Sequence, residues 1–196
     1  DFLKSKYKFS IEDFKALQNN NYNLKASELV PFMLKNMDTS TLSKDELNIL
    51  NEIKAWNFNN DKEEVGPSIW RQWYGNLYRL VWDEFYSEEQ TLTRPYTYQT
   101  IYLLKNFGDH IYMDIVETED KTETAEDLLL LSFKKAAKRL KEIKDTEGDY
   151  KWVNYKNTYV GHLLQALPAF SRFNIPIGGG RNIVNATSEN HGASWR

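Results

Sequence analysis

Cysteine is absent from all 196 residues. That excludes disulfides, thiolate metal sites and cysteine nucleophiles, and it is compatible with an exported protein that manages without bridges. A basic field is missing too. With 25 Lys and Arg against 28 Asp and Glu, the formal net charge is −3, which argues against nucleic acid or an anionic membrane as partner. The basic run "KKAAKRLKEIK" (134–144) reads at helical spacing as the solvated face of an amphipathic helix. No apolar stretch approaches the ~20 residues of a membrane span. Histidine is scarce: His110, His162 and His191 stand far apart, and none pairs with another ligand at helical spacing. No metal or cofactor is expected.

Apolar residues make up 41% and charged residues 27%, the balance of a globular chain with a core. The length suits one domain that buries roughly 70% of its unfolded surface. Aromatic residues reach 14%, with six Trp and twelve Tyr. They serve either as staples of a helical core or, in part, as a surface for a partner or ligand cleft.

Helix signals dominate. "SIEDFKALQ" opens on Ser10 with Asp13 three residues on, a capping-box arrangement in which each side chain satisfies a free backbone N–H. Ser43 and Glu46 repeat it before "LNILNEIKAW", where Leu47, Leu50 and Ile53 share a face. Thr124 and Asp127 start a third such helix, whose face carries Leu128, Leu131, Leu140 and Ile143 and which ends before Gly148. "NLKASELVPFMLKNM" is helical in spacing, with Pro31 predicting a kink or a fresh start near Val30. After "GPS" (66–68), Ile69, Trp70, Trp73, Leu77, Leu80, Val81 and Trp82 form a broad apolar stripe, and "PYTYQTIYLLKNFG" predicts a shorter helix ending near Gly108. From Tyr150 the pattern turns irregular, and "NIVNA" (182–186) reads as a short strand between turn formers. The division is a helical lobe, 1–149, and a partly extended C-terminal arm, 150–196, together one structural unit.

Local chemistry is thin. Gly178–Gly180 lack the following Lys, hydroxyl residue and helix of a phosphate loop, so they read as a flexible turn feeding a strand. "GASWR" offers Ser194 in a partial nucleophile elbow without its second glycine. His162, in "YVGHLLQALPAF", sits in an apolar setting and reads as a structural histidine. The acidic stretch "DIVETEDKTETAED" (114–127) lacks the spacing of an EF-hand and reads as a solvated loop.

Three segments carry a resemblance. "FSIEDFKALQNNNYNLKASELVPFMLK" and "ELNILNEIKAWNFNNDKEEVGPSIWRQWYGNLYRLVWDEF" are similar to two helical elements, and "GGGRNIVNATSENHGASWR" to a terminal "GG…TVNA…GPSWR" motif, with Ala193 where proline is usual and "NIVNA" for "TVNA". Together they resemble the C-terminal part of the penicillin amidase (penicillin acylase) family of N-terminal nucleophile hydrolases.

The resemblance implies a fragment, mainly α, of an α/β/β/α hydrolase that cuts amide bonds of N-acyl compounds such as β-lactams or acyl-homoserine lactones. In that family the nucleophile is the new N-terminal Ser of a self-cleaved precursor, with its own α-amino group as base, and an Asn side chain helps to hold the oxyanion. Both lie upstream of the matched segment, and Asp1 has no hydroxyl to take that role, so no catalytic residue is carried onto this chain. Asp1 in place of Met implies a processed, excised or truncated chain. The expected partner is the remainder of the parent enzyme, and residues 182–186 are a candidate edge for self-association. A periplasmic or secreted setting is implied as well. The rival reading is a stand-alone helical interaction module without catalysis.

Overall fold

The computed structural model describes residues 2–86, 92–161 and 168–187. Its α-helices are α1 (Ile11–Gln18), α2 (Leu24–Asn36), α3 (Lys44–Ala55), α4 (Gly66–Val81), α5 (Thr97–Asn106), α6 (Ala125–Glu147) and α7 (Trp152–Lys156). Among the described residues there is no strand, and pairing of strand type is confined to the isolated bridges Tyr22–Asn59 and Val160–Arg172. The expected helical character is therefore observed.

The capping residues do what their chemistry predicts. The Ser10 hydroxyl accepts from the Asp13 N–H at 3.2 Å, while Asp13 accepts from the Ser10 N–H at 2.9 Å. Glu46 and Asp127 accept from the N–H groups of Ser43 and Thr124 at 2.7 and 3.0 Å. Gly148, at φ +89, ends α6 in the left-handed conformation that glycine adopts without strain. Pro31 lies inside α2, which runs through it from Leu24 to Asn36. There is no fresh start at Val30. The helix begins instead at Asn23, whose Oδ1 accepts from the Ala26 N–H at 3.0 Å.

The chain clusters into two compact units. The second comprises Glu28–Lys54 and Ile69–Thr146. Its core is built by the stripes of α4 and α6. Trp73, fully buried, meets Phe133 edge-on at 5.0 Å between ring centroids and donates its indole N–H to the Leu129 carbonyl at 3.1 Å. Leu77, Leu128, Ala136 and Leu140 are equally buried. Trp82 donates to the Thr100 hydroxyl at 2.8 Å, tying the end of α4 to α5.

The first unit comprises Asp1–Ser27, Ala55–Ser68 and Glu147–Arg196. The arm thus clusters with two segments distant in sequence. Ala55–Ser68 turns back under Trp56, whose indole N–H donates to the Asn59 carbonyl at 2.8 Å. A Cβ on Gly66 would lie 2.1 Å from the Trp56 ring, so only glycine fits there.

Candidate functional site

The sequence flagged the arm, and the structure gives it a defined junction. The Asn23 N–H donates to the Phe58 carbonyl at 2.8 Å, and the Asn60 N–H to Asn21 at 2.8 Å. The Trp152 and Val153 N–H groups donate to Glu64 and Lys62 at 2.7 and 2.9 Å. Asparagines complete the frame: the Asn185 amide donates to Asn21 Oδ1 at 2.8 Å, and the Asn21 amide to Asp61 at 2.6 Å. The Asn185 N–H reaches the Asn20 carbonyl at 3.0 Å.

The three glycines close this frame. Gly179 sits at φ +85 and donates its N–H to the Asn60 carbonyl at 2.9 Å, and Gly180 donates to Asn185 at 3.1 Å. Those N–H groups are committed, so they cannot cradle a phosphate. Nor is the segment a loose turn. A Cβ at Gly178 would lie 2.7 Å from both the Asn21 amide nitrogen and the Asn60 carbonyl oxygen. The glycines are there for close approach.

The expected strand at 182–186 is not formed. Asn182 has φ +62, in the left-handed region, and the Ala186 and Thr187 N–H groups bond to Val184 and Asn185, only two residues back. Such tight turns break the alternation a strand requires. Ile183 is buried and Val184 is exposed. The arm's held edge is therefore intramolecular, through asparagines and backbone.

Beneath the glycines lies a buried cation. Lys156, at 1% exposure, donates through Nζ to the Gly178 carbonyl at 2.6 Å and the Thr187 hydroxyl at 2.8 Å. The neighbouring Trp152 donates to the Gly179 carbonyl at 2.7 Å. A lysine beside a threonine could suggest an activated hydroxyl. Here Thr187 gives its proton to the Gly178 carbonyl at 2.7 Å and accepts from Lys156. Lys156 Nζ donates to both the Gly178 carbonyl and the Thr187 hydroxyl, so in this arrangement the contact clamps residues 178 and 187 together.

In the second unit, a cavity of about 660 Å³ opens beside α5, lined by Trp82, Tyr98, Tyr102, Leu103, Phe107 and Tyr112, with Lys105 and His110 also on its wall. His110 Nδ1 accepts from the Tyr112 N–H at 3.3 Å, which assigns the ring proton of the neutral form to Nε2. Among the described residues no group of three or more His, Asp or Glu is placed to hold a metal. The acidic stretch is more organised than a solvated loop. Glu123, buried, accepts from the Ile115 N–H at 3.0 Å and the Thr118 hydroxyl at 2.9 Å, and these bonds hold its carboxyl below the usual range. Asp114 in turn accepts from the Glu123 N–H at 3.2 Å. His162, His191, Ser194 and Trp195 lie outside the described residues.

Comparison with known proteins decides the family. The model for penicillin amidase matches residues 1–196, the whole chain. The chain belongs to the penicillin amidase family. No curated protein matches it. Membership relates the chain to amide-bond hydrolases. The sequence pointed to Gly178–Gly180 and Asn182–Ala186. It missed Lys156, Trp152 and the partners Asn21 and Asn60, although the asparagine-dense runs "NNNYN" (19–23) and "NFNND" (57–61) were a visible signal.

Proposed function

We propose that this chain is the helical part of an amidohydrolase that cleaves N-acyl compounds such as β-lactams or acyl-homoserine lactones, and that it does not itself carry the catalytic groups. The observation that supports the reading is the family match over all 196 residues. The clamp geometry of Thr187 and Lys156 supports the second half, because among the described residues this hydroxyl–amine contact is committed to holding the Gly178 carbonyl. On this reading the nucleophilic Ser and the oxyanion Asn belong to other segments of the parent enzyme, and the parent works in the periplasm or outside the cell. A role as a pure interaction module is the second reading, favoured by the exposed rings of Tyr96, Tyr98 and Tyr102.

The test is an acylase assay on penicillin G and a series of acyl-homoserine lactones, with this chain alone and with the remaining parent polypeptide. We expect release of free amine only in the second case. Turnover by the chain alone, lost on Ser194→Ala, would overturn the absence of catalytic groups. No turnover by the complete parent on any N-acyl substrate would favour the interaction module.

A further inference from the structure

Where α4 ends, the chain makes a short 3-10 turn, Asp83–Phe85, that opens on two consecutive acids. Asp83 Oδ1 and Glu84 Oε2 are both shielded from solvent, and neither accepts a hydrogen bond from any of the described residues. The two carboxyls lie within bonding reach of one another. An ionised carboxylate has no proton to donate, so two ionised groups cannot satisfy each other. One proton between them satisfies both. The other side of Asp83 sets the direction of donation. Its Oδ2 already accepts from the Val116 N–H at 2.9 Å, which makes Asp83 the natural acceptor and leaves Glu84 to donate. Asp114, on the facing segment, is a further charge that acts on Glu84, and it too is an acid. Lys121, the single cation of the 114–127 stretch, is paired with Asp127. Burial first, and then these neighbouring acids, raise the Glu84 carboxyl above its ordinary 4.5.

We propose that Asp83 and Glu84 share one proton, and that this acid pair is a pH-operated latch between the end of α4 and the 114–118 segment. With Glu84 neutral, Asp83 accepts from Glu84 on one oxygen and from Val116 on the other. When the proton leaves, the new charge on Glu84 stands against Asp83 on its own turn and Asp114 across from it, and repulsion loosens the latch. The joined segments also carry Trp82 and Tyr112, whose rings meet at 5.1 Å between centroids on the wall of the cavity beside α5. The proton on Glu84 therefore sets how firmly that wall is held. A raised carboxyl binds its proton more tightly in the folded chain than in the unfolded one. Its stabilisation is thus complete below pH 4.5 and fades as pH rises through the folded value.

The test is an NMR titration of the Glu84 carboxyl in the wild-type chain together with hydrogen exchange at the Val116 N–H, across about pH 4 to 7. Glu84 should titrate above 4.5. Protection of the Val116 N–H, corrected for the intrinsic rise of exchange with pH, should fall over the same range. Each unit by which the Glu84 midpoint is raised should appear as about a tenfold loss of protection. Glu84→Gln keeps a neutral N–H donor against Asp83, so its Val116 protection should stay level. Asp83→Asn takes the facing charge away and should lower the Glu84 midpoint. Three results would each overturn the proposal: a Glu84 midpoint at or below 4.5, a midpoint unmoved by Asp83→Asn, or Val116 protection that stays level in the wild type or falls equally in Glu84→Gln. The wild-type titration and exchange need no variant, so they decide even where a variant fails to fold. No turnover is read, and the outcome is independent of the amidohydrolase reading.

Discussion

The two compact units of this chain are stabilised in different ways. In the second, order follows from apolar stripes at helical spacing: Trp73, Leu77 and Leu80 on α4 and Leu129, Phe133 and Leu140 on α6 are buried, and Trp73 meets Phe133. In the first, segments 20–23, 57–64 and 178–187 are joined by backbone carbonyls, asparagine amides and one buried ammonium. Apolar packing is non-directional and tolerates adjustment, whereas a polar frame with no spare room fails when one donor is lost. The difference can be probed by substitution, unit by unit.

The largest effect belongs to the apolar unit. Trp73→Ala should destabilise by about 3–5 kcal/mol, through the cavity left against Phe133 and the loss of the indole's bond to the Leu129 carbonyl. Denaturant unfolding of the variant measures it. A loss below about 1 kcal/mol would mean that the stripe of α4 is not the main support of this unit.

Next comes the glycine frame. Gly178→Ala puts a methyl 2.7 Å from the Asn60 carbonyl oxygen, which is backbone and cannot swing away. Overpacking of that kind costs about 1–3 kcal/mol. Gly148→Ala, where nothing lies within 4 Å, meets only the strain of φ +89, about 1 kcal/mol. If the two alanines cost the same, close approach at Gly178 is not what the glycine provides.

How much of this was legible in the sequence follows the same divide. Capping boxes and stripes act over three or four residues, so Ser10–Asp13, Ser43–Glu46, Thr124–Asp127 and the α4 and α6 faces could be read directly. The junction could not. Asn185 meets Asn21 across 164 positions, and no local rule connects them. The same distance explains the misread strand: Ile183 and Val184 have strand propensity, but Asn182 in the left-handed region and the bonds of Asn185 to residues 20 and 21 override it. Of the candidate site, the three glycines were visible and their reason was not, because the atoms crowding them come from residues 21 and 60.

One residue type compared across the units gives a smaller and sharper test. Lys156→Met removes the buried donor to the Gly178 carbonyl and the Thr187 hydroxyl, and should cost about 1–3 kcal/mol. Lys141→Met, which removes an exposed partner of Asp45, should cost far less, because a solvated surface pair contributes little. Urea midpoints of the two variants check this. Equal losses would show that the buried ammonium contributes no more than a surface pair, and the clamp would lose its role.

The smallest effect is acid sensitivity, and it has a sign. Glu123 in the second unit is held below its ordinary 4.5 chiefly by the Ile115 N–H, with the Thr118 hydroxyl adding to it. Asp13 in the first is lowered to about 2, first by the Lys6 ammonium and then by Ser10. A carboxyl whose pKa is depressed in the folded chain favours folding at pH above its unfolded value. That contribution fades as pH falls through the folded one. For Asp13 the window runs from 3.8 down to about 2; for Glu123 it opens below 4.5. The wild-type chain should therefore lose part of its advantage over Glu123→Gln between pH 5 and pH 3 in urea midpoints. Its advantage over Asp13→Asn should persist to lower pH. Asp13 titrates on an open surface, so salt should shrink its effect more than that of Glu123, whose bonds are to backbone and hydroxyl. A gap between wild type and Glu123→Gln that stays constant across this range would show that the 114–127 segment is held by its backbone turns and not by the carboxylate.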